Sequence, residues 1–139
     1  MKLSTKSRYG ARAMLDLALH YGEGPVKIHE ISARQEISEY YLQQILSSLC
    51  KANLAISTAG SHGGFALASP PNKINLLDIV QVMEGDLSLV GCVDFSNQCD
   101  RSAGCATRWA WTMVSKQIKE TLKGITLDQL AHRQKVASA

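Results

Sequence analysis

Apolar residues recur at helical spacing along most of the chain, and this pattern predicts a mainly α-helical fold. The first helix is predicted from about Ser7 to Tyr21, where a Gly-Glu-Gly-Pro turn stops it. A short second helix follows and ends near Ile37. Ser38 is a good N-cap for a third helix, which runs to about Lys51. The apolar face of this third helix consists of Leu42, Ile45, Leu46 and Leu49.

The pattern changes to a period of two in the segment that follows the third helix. Residues 54–58 and 65–68 alternate, and residues 59–64 between them form a glycine-rich turn. This arrangement predicts a β-hairpin with a flexible tip. Two helices joined by a short turn and followed by a hairpin show the order of a winged helix-turn-helix domain, with the hairpin as a small wing.

Three more helices are predicted after the hairpin. Asn75 caps the first of them, which ends at Gly85, and a long helix follows from about Ala106 to Lys123. A last helix begins at Leu127 after a capping box. The long helix carries an apolar stripe that another surface has to cover, formed by Trp111, Val114, Ile118 and Leu122.

Composition excludes several classes of protein. The 139 residues are 45% hydrophobic and 19% charged, and no apolar run approaches the roughly 20 residues of a membrane span. We expect a cytoplasmic protein, because residues 1–20 lack the apolar region of a signal peptide. In that compartment cysteines are thiols or metal ligands rather than disulfides, and Cys50 is expected to pack in the core. No Ser/His/Asp arrangement, phosphate-binding glycine loop or carboxylate pair points to an enzyme.

The N-terminus and the third helix are candidates for DNA binding. A basic arm, formed by Lys2, Lys6, Arg8 and Arg12, has no acid among its twelve residues and suits DNA phosphate. In a helix-turn-helix unit the second helix of the pair enters the major groove, and its N-terminal residues reach base edges. The polar face of the third helix contains only one acid, Glu39, which accepts from cytosine or repels wrong sites.

The candidate DNA-binding residues come from the helix, the arm and the tip of the wing. Glutamine side chains on the helix suit adenine, with which they form bidentate hydrogen bonds. The full set is Ser38, Glu39, Tyr40, Tyr41, Gln43, Gln44 and Ser47 of the helix, Lys6 of the arm, and Gly60, Ser61 and His62 of the wing tip. A helical hairpin with a solvated polar face is the alternative interpretation of the same pattern.

Cys92, Cys99 and Cys105 are spaced C-x6-C-x5-C in a segment without clear periodicity. Thiolates bind soft or borderline metals, and three in one loop can converge on a single site. The spacing lacks the C-x2-C pairs of a zinc ribbon, whereas an iron–sulfur cluster suits a loop that wraps it. Three thiolates leave one ligand missing, and Asp94 and Asp100 are nearby oxygen donors. Unliganded thiols or a redox disulfide are the alternative.

Taken together, the chain resembles the iron–sulfur-cluster transcription regulators typified by IscR and NsrR, from Leu3 to about Leu130. The resemblance implies a homodimeric winged-helix repressor or activator. In such a dimer the long helix forms the interface, and two recognition helices bind the half-sites of a near-palindromic double-stranded DNA. The motifs that carry the likeness are residues 3–10 and 13–18, Ile31-Ser32, Arg34-Gln35, Ile37-Ser38, Tyr41-Leu42, Gln44, Gly63-Gly64, the cysteine loop, Trp111 and residues 125–127.

The predicted division of the chain follows from these elements and from the resemblance. Residues 1–71 form the winged helix-turn-helix DNA-binding domain, and residues 72–104 form a connecting helix and the cysteine-bearing loop. Residues 105–139 form the dimerisation helix and a C-terminal helix. The cofactor that the resemblance implies is an iron–sulfur cluster on the three cysteines, and gain, loss or damage of the cluster resets DNA affinity.

Three positions depart from the pattern of this family. Arg108 occupies the position of the histidine that completes a [2Fe–2S] site in IscR-like members, and arginine cannot ligate iron. Arg8 occupies the position of the aspartate that completes a [4Fe–4S] site in NsrR-like members. Ala59 replaces a wing arginine that enters the minor groove. The cluster type and the fourth ligand therefore stay open.

The sequence thus predicts a regulator that senses iron–sulfur cluster, iron, or redox or nitrosative status. The alternative is a DNA-binding regulator of the same fold without a cluster, controlled by thiol oxidation, a metabolite or a partner protein. A metal-carrying adaptor that binds protein instead of DNA is a third hypothesis. The nearly acid-free polar face of the third helix argues against that adaptor.

Overall fold

The computed structural model describes residues 2–87 and 104–138, which form six α-helices and one two-stranded antiparallel sheet. The prediction of a mainly helical protein with a small β-hairpin wing is confirmed. Within these ranges no helix is long and apolar enough to cross a membrane. The elements are α1 (Thr5–Leu19), α2 (Ile28–Gln35), α3 (Glu39–Lys51), β1 (Ala55–Thr58), β2 (Gly64–Leu67), α4 (Leu76–Glu84), α5 (Ala106–Lys123) and α6 (Leu127–Ser138).

Helix α1 begins two residues before the predicted start because Ser4 caps it. The Ser4 hydroxyl accepts a hydrogen bond from the backbone N–H of Ser7 at 3.3 Å. The helix ends at Leu19, and Gly22 follows with a φ of +89°. Tyr21, the predicted last residue of this helix, therefore lies in the turn and is 50% exposed.

The turn between α2 and α3 positions α3, which is the predicted recognition helix. Glu36 takes the left-handed conformation with a φ of 54°, and the Ser32 hydroxyl donates to the Ile37 carbonyl at 2.6 Å. Ser38 caps α3 by accepting from the backbone N–H of Tyr41 at 3.2 Å. The predicted apolar face of α3 is fully buried in the core, where each such side chain contributes roughly 1.5–3 kcal/mol.

The wing is attached to the loop before α2. Backbone hydrogen bonds of 2.7 and 2.8 Å join Val26 and Phe65, so this loop adds a bridge to the edge of β2. Gly64 approaches the loop closely, and a Cβ added there would lie 2.4 Å from the Val26 carbonyl oxygen. Gly64 also has a φ of +150°, which side chains rarely allow. The short distance and the φ value each require glycine at this position.

One hydrophobic core joins helices from the first and the last of the three predicted segments. Leu127 and Ala131 of α6 are buried in the same cluster as Met14 of α1. The backbone N–H of Leu127 donates to Ile74 at 2.9 Å, and that of Leu76 donates to Ile125 at 2.9 Å. Helix α6 therefore packs back on the first helix, while the division of the chain at residues 71 and 104 stays a prediction.

Candidate nucleic-acid interface and cysteine site

The polar face of α3 is exposed at its N-terminal end, as DNA contact requires. Ser38, Glu39, Gln43 and Gln44 are exposed, and Tyr40 is 78% exposed despite its large aromatic ring. The tip of the wing is exposed as well, with Gly60, Ser61 and His62 in the turn between the strands. The exposure of these side chains is compatible with the predicted contacts to a major groove and a phosphate backbone, and the contacts themselves stay a prediction.

Tyr41 and Ser47 are only partly exposed. The Tyr41 ring packs edge-on against Tyr9 of α1, with ring centroids 5.8 Å apart. The Arg12 guanidinium lies over the other ring of this pair, 5.6 Å from the Tyr9 centroid. Tyr41 thus connects the recognition helix to α1, and a DNA contact by Tyr41 stays a prediction.

An ion pair between a buried carboxylate and an exposed guanidinium joins α2 to α1. The Asp16 side chain is 1% exposed and accepts two hydrogen bonds from Arg34, at 2.9 and 2.8 Å. Gln35 adds a third bond at 3.0 Å. The hydrogen bonds from Arg34 to Asp16 raise the pKa of the guanidinium above its usual range.

The basic residues of the arm differ in their contacts within the fold. Arg12 donates to both the side-chain and the backbone oxygen of Gln35, so it belongs to the structural network around Asp16. Arg8 is exposed and Lys6 is half-buried in the first turn of α1, a helix that packs against α3. The positive charge of these residues in the sequence does not distinguish Arg12, which belongs to this network, from the others.

The start of α1 is held by a carboxylate from α4. Glu84 Oε1 accepts from the Ser4 backbone N–H at 2.8 Å, from the Ser4 hydroxyl at 2.5 Å and from the Ser7 hydroxyl at 2.5 Å. These hydrogen bonds lower the pKa of the Glu84 carboxyl below its usual range. Local sequence patterns do not reveal this contact, because Ser7 and Ser4 lie 77 and 80 residues from Glu84 in the chain.

Only one cysteine of the predicted metal site lies in the part of the chain that the structure describes. Cys105 is the N-cap of α5 and partly buried, with its Sγ 3.0 Å from the Thr107 hydroxyl. Cys92, Cys99 and the candidate oxygen donors Asp94 and Asp100 lie outside the described residues. Within residues 2–87 and 104–138, no three side chains of the usual metal-binding types come together.

Cys50 differs from the cysteine at the start of α5. It is partly buried and packs against the hydrophobic core, as expected from the sequence. This burial raises the pKa of the Cys50 thiol, because the protein interior disfavours the thiolate. Cys50 is therefore a packing residue at the end of α3.

The apolar stripe of α5 remains open to solvent in the single chain. Trp111 is 42% exposed and Val114 is 43% exposed, and Ile118 and Leu122 are partly exposed below them. Only Ser115 of this helix is buried among its described residues. An exposed apolar stripe of this kind marks an interaction surface.

A winged helix-turn-helix with an exposed recognition helix and wing defines the class of DNA-binding transcriptional regulators. Residues 3–133 match the Rrf2 family, described as iron-dependent transcriptional regulators, and the chain belongs to this family. The resemblance found in the sequence is thereby confirmed, and the chain is a DNA-binding regulator, not an enzyme.

Three similar proteins illustrate the family. Protein rrf2 of Nitratidesulfovibrio vulgaris is 41% identical over 130 residues, which cover 94% of this chain and 87% of that protein. The structure of CymR, the global cysteine regulator of Bacillus subtilis, has a TM-score of 0.81 at 37% identity, covering 96% of this chain and 98% of that one. The structure of T. potens IscR has a TM-score of 0.81 at 39% identity, covering 100% and 92%.

Proposed function

We propose that the protein is a homodimeric transcriptional regulator that senses iron–sulfur cluster, iron, or redox or nitrosative status through Cys92, Cys99 and Cys105. The observation that carries the proposal is the position of Cys105 at the N-cap of α5. The same helix bears the exposed apolar stripe. A ligand held at its start can therefore bias the packing of α5, and with it the spacing of two recognition helices.

The described part of the cysteine site fits a thiolate-bound cluster. Cys105 lies at the N-terminus of an 18-residue helix, where the helix dipole favours a negatively charged sulfur. The three cysteines would hold the cluster, which would supply a group sensitive to oxygen and nitric oxide. We propose a nearby carboxylate, a solvent molecule or a small thiol as the fourth ligand, because Arg108 cannot ligate iron.

The apolar stripe supports the homodimer. A second copy of α5 offers a stripe of the same composition, and an interface between two identical helices is isologous. Packing the two stripes together removes Trp111 and Val114 from water. The recognition helices of such a dimer would bind half-sites about one DNA turn apart, on the order of 34–36 Å.

A regulator of the same fold without a cluster is the second candidate. Arg108 and Arg8 stand where other members place a fourth ligand, which favours this alternative. The similarity to CymR, which is named a global cysteine regulator, favours it as well. Control by thiol oxidation, a metabolite or a partner protein would then replace the cluster.

Anaerobic purification tests the cluster directly. We expect broad visible absorption with stoichiometric iron and sulfide in the wild type, and loss of both in Cys92→Ala. Cys50→Ala is the matched control and should keep the spectrum, because Cys50 packs in the core. Asp94→Ala and Asp100→Ala then test the carboxylates as fourth ligands. A protein that stays colourless after reconstitution would favour the cluster-free regulator.

Gln44 is expected to determine one base position. Replacing Gln44 with alanine should cost about 1–3 kcal/mol at the preferred site and relax the choice of base at one position. Selection of binding sites from a random duplex pool measures both effects. Gln81→Ala, at an exposed position on α4, is the control and should leave the selected site unchanged. A uniform loss of affinity over all sequences would assign Gln44 to phosphate contact.

A further inference from the structure

The first turn of α1 is poorly suited to form a stable helix end on its own. It contains no acidic residue, while Lys6 and Arg8 place positive charge at the positive end of the helix dipole. Its N–H groups also need acceptors, and Ser4 satisfies one of them by capping Ser7. Without further support this turn would fray.

That support comes from the last residue of α4. Glu84 brings a carboxylate to the start of α1, and one of its oxygens accepts three hydrogen bonds from Ser4 and Ser7. The carboxylate accepts hydrogen bonds at this end of the helix and supplies the negative charge that the first turn lacks. One turn away, α1 and α4 are in close contact, since a Cβ on Gly10 would lie 3.3 Å from Met83.

The end of α4 is held on its other side by α5. Asp86 forms an ion pair with Lys119 at 2.8 Å, and Leu87 is buried. Glu84 is therefore placed by a segment that is itself anchored to the long helix. A side chain so placed can hold the start of α1 at a defined position relative to the rest of the fold.

We propose that Glu84 is a positioning residue for DNA binding, which holds the first turn of α1 so that Lys6 and Arg8 face the DNA backbone. The proposal rests on the DNA-binding function of the family and is independent of any cluster. Glu84 acts through the hydrogen bonds to Ser4 and Ser7, and the phosphate contacts are made by the two basic side chains.

The direction in which Glu84→Gln changes DNA affinity distinguishes this role from a general effect of charge. Removing a negative charge near a DNA-binding surface ordinarily strengthens binding to DNA, because repulsion of phosphate is relieved. If Glu84 positions the basic residues, Glu84→Gln weakens binding instead. We expect a loss of about three- to tenfold near physiological salt, and a decrease of about 1–2 in the slope of log affinity against log salt.

The test uses the full chain and a mixed-sequence duplex, with fluorescence anisotropy at several salt concentrations. Glu23→Gln removes an exposed acid of the α1–α2 turn and is the charge-matched control, with affinity equal to or above that of the wild type. Ser7→Ala removes one donor to Glu84 while keeping the carboxylate, and it should show a smaller loss of the same kind. Circular dichroism verifies that each variant is folded.

A double-mutant cycle links Glu84 to the basic side chains. Lys6→Ala should weaken binding in the wild type and should have less effect when Glu84 is already glutamine. The proposal is overturned if folded Glu84→Gln binds as tightly as the wild type or tighter, or if its affinity falls without a change in the salt slope. A wild type that does not bind the duplex would contradict DNA binding itself, and it would overturn the role of Glu84 together with that function.

Discussion

Replacing Val114 with glutamate is expected to convert the proposed dimer into a monomer and to weaken operator binding by about 10²–10⁴-fold. Val114 lies within the apolar stripe of α5 and is 43% exposed in the single chain. In the proposed dimer, a carboxylate at this position would be buried within the apolar stripe of the partner, which is costly. Each monomer would then reach only one half-site.

Light scattering measures the mass of this variant, and anisotropy on a selected operator measures its affinity. Gln117→Glu adds the same charge to the same helix at an exposed polar position, and it should remain dimeric. This control separates loss of the stripe from a general effect of negative charge. A dimeric Val114→Glu protein with wild-type affinity would show that a different surface joins the two copies.

Replacing Arg34 with alanine is expected to destabilise the folded chain by about 3 kcal/mol. The reason is the unequal exposure of the pair, since the Asp16 side chain is 1% exposed and the Arg34 side chain 39%. Loss of Arg34 leaves the carboxylate buried with fewer hydrogen bonds, whereas loss of Asp16 leaves a guanidinium that can reach water. Asp16→Ala should therefore cost less than Arg34→Ala.

Denaturant unfolding of both single variants and of the double variant tests this order. The double variant should be more stable than Arg34→Ala, because no carboxylate remains buried. Arg133→Ala on the exposed face of α6 is the control and should change stability by less than about 0.5 kcal/mol. Strict additivity of the two single effects would mean that Asp16 and Arg34 do not act as a pair.

Helix α3 shows how much local sequence signals could predict. Its N-cap, its end and its four buried side chains were all expected, because capping is a contact over three residues and the apolar face repeats every turn. The bounds of α4 follow from signals of the same range, Asn75 before the helix and Gly85 after it. Such features need no knowledge of the rest of the fold.

The residues that support the predicted DNA-binding surface could not be found in the same way. Arg12 is indistinguishable from its basic neighbours in sequence, yet it donates to Gln35, 23 residues away. One signal was available for Asp16, which interrupts an apolar run and therefore required either exposure or a partner. The sequence did not show that Arg34 and Gln35 were those partners.

By itself, the sequence determined the order of the elements, the buried face of α3 and the family, and it predicted a metal site at the three cysteines. These depend on local spacing and on motifs, which are visible without coordinates. Only the tertiary structure decided which polar side chains stay exposed for DNA and which hold the fold. Asp16 and Glu84 find their partners through the packing of α1 on α2 and α4, and such contacts over 18 to 80 residues exist only once the core has formed.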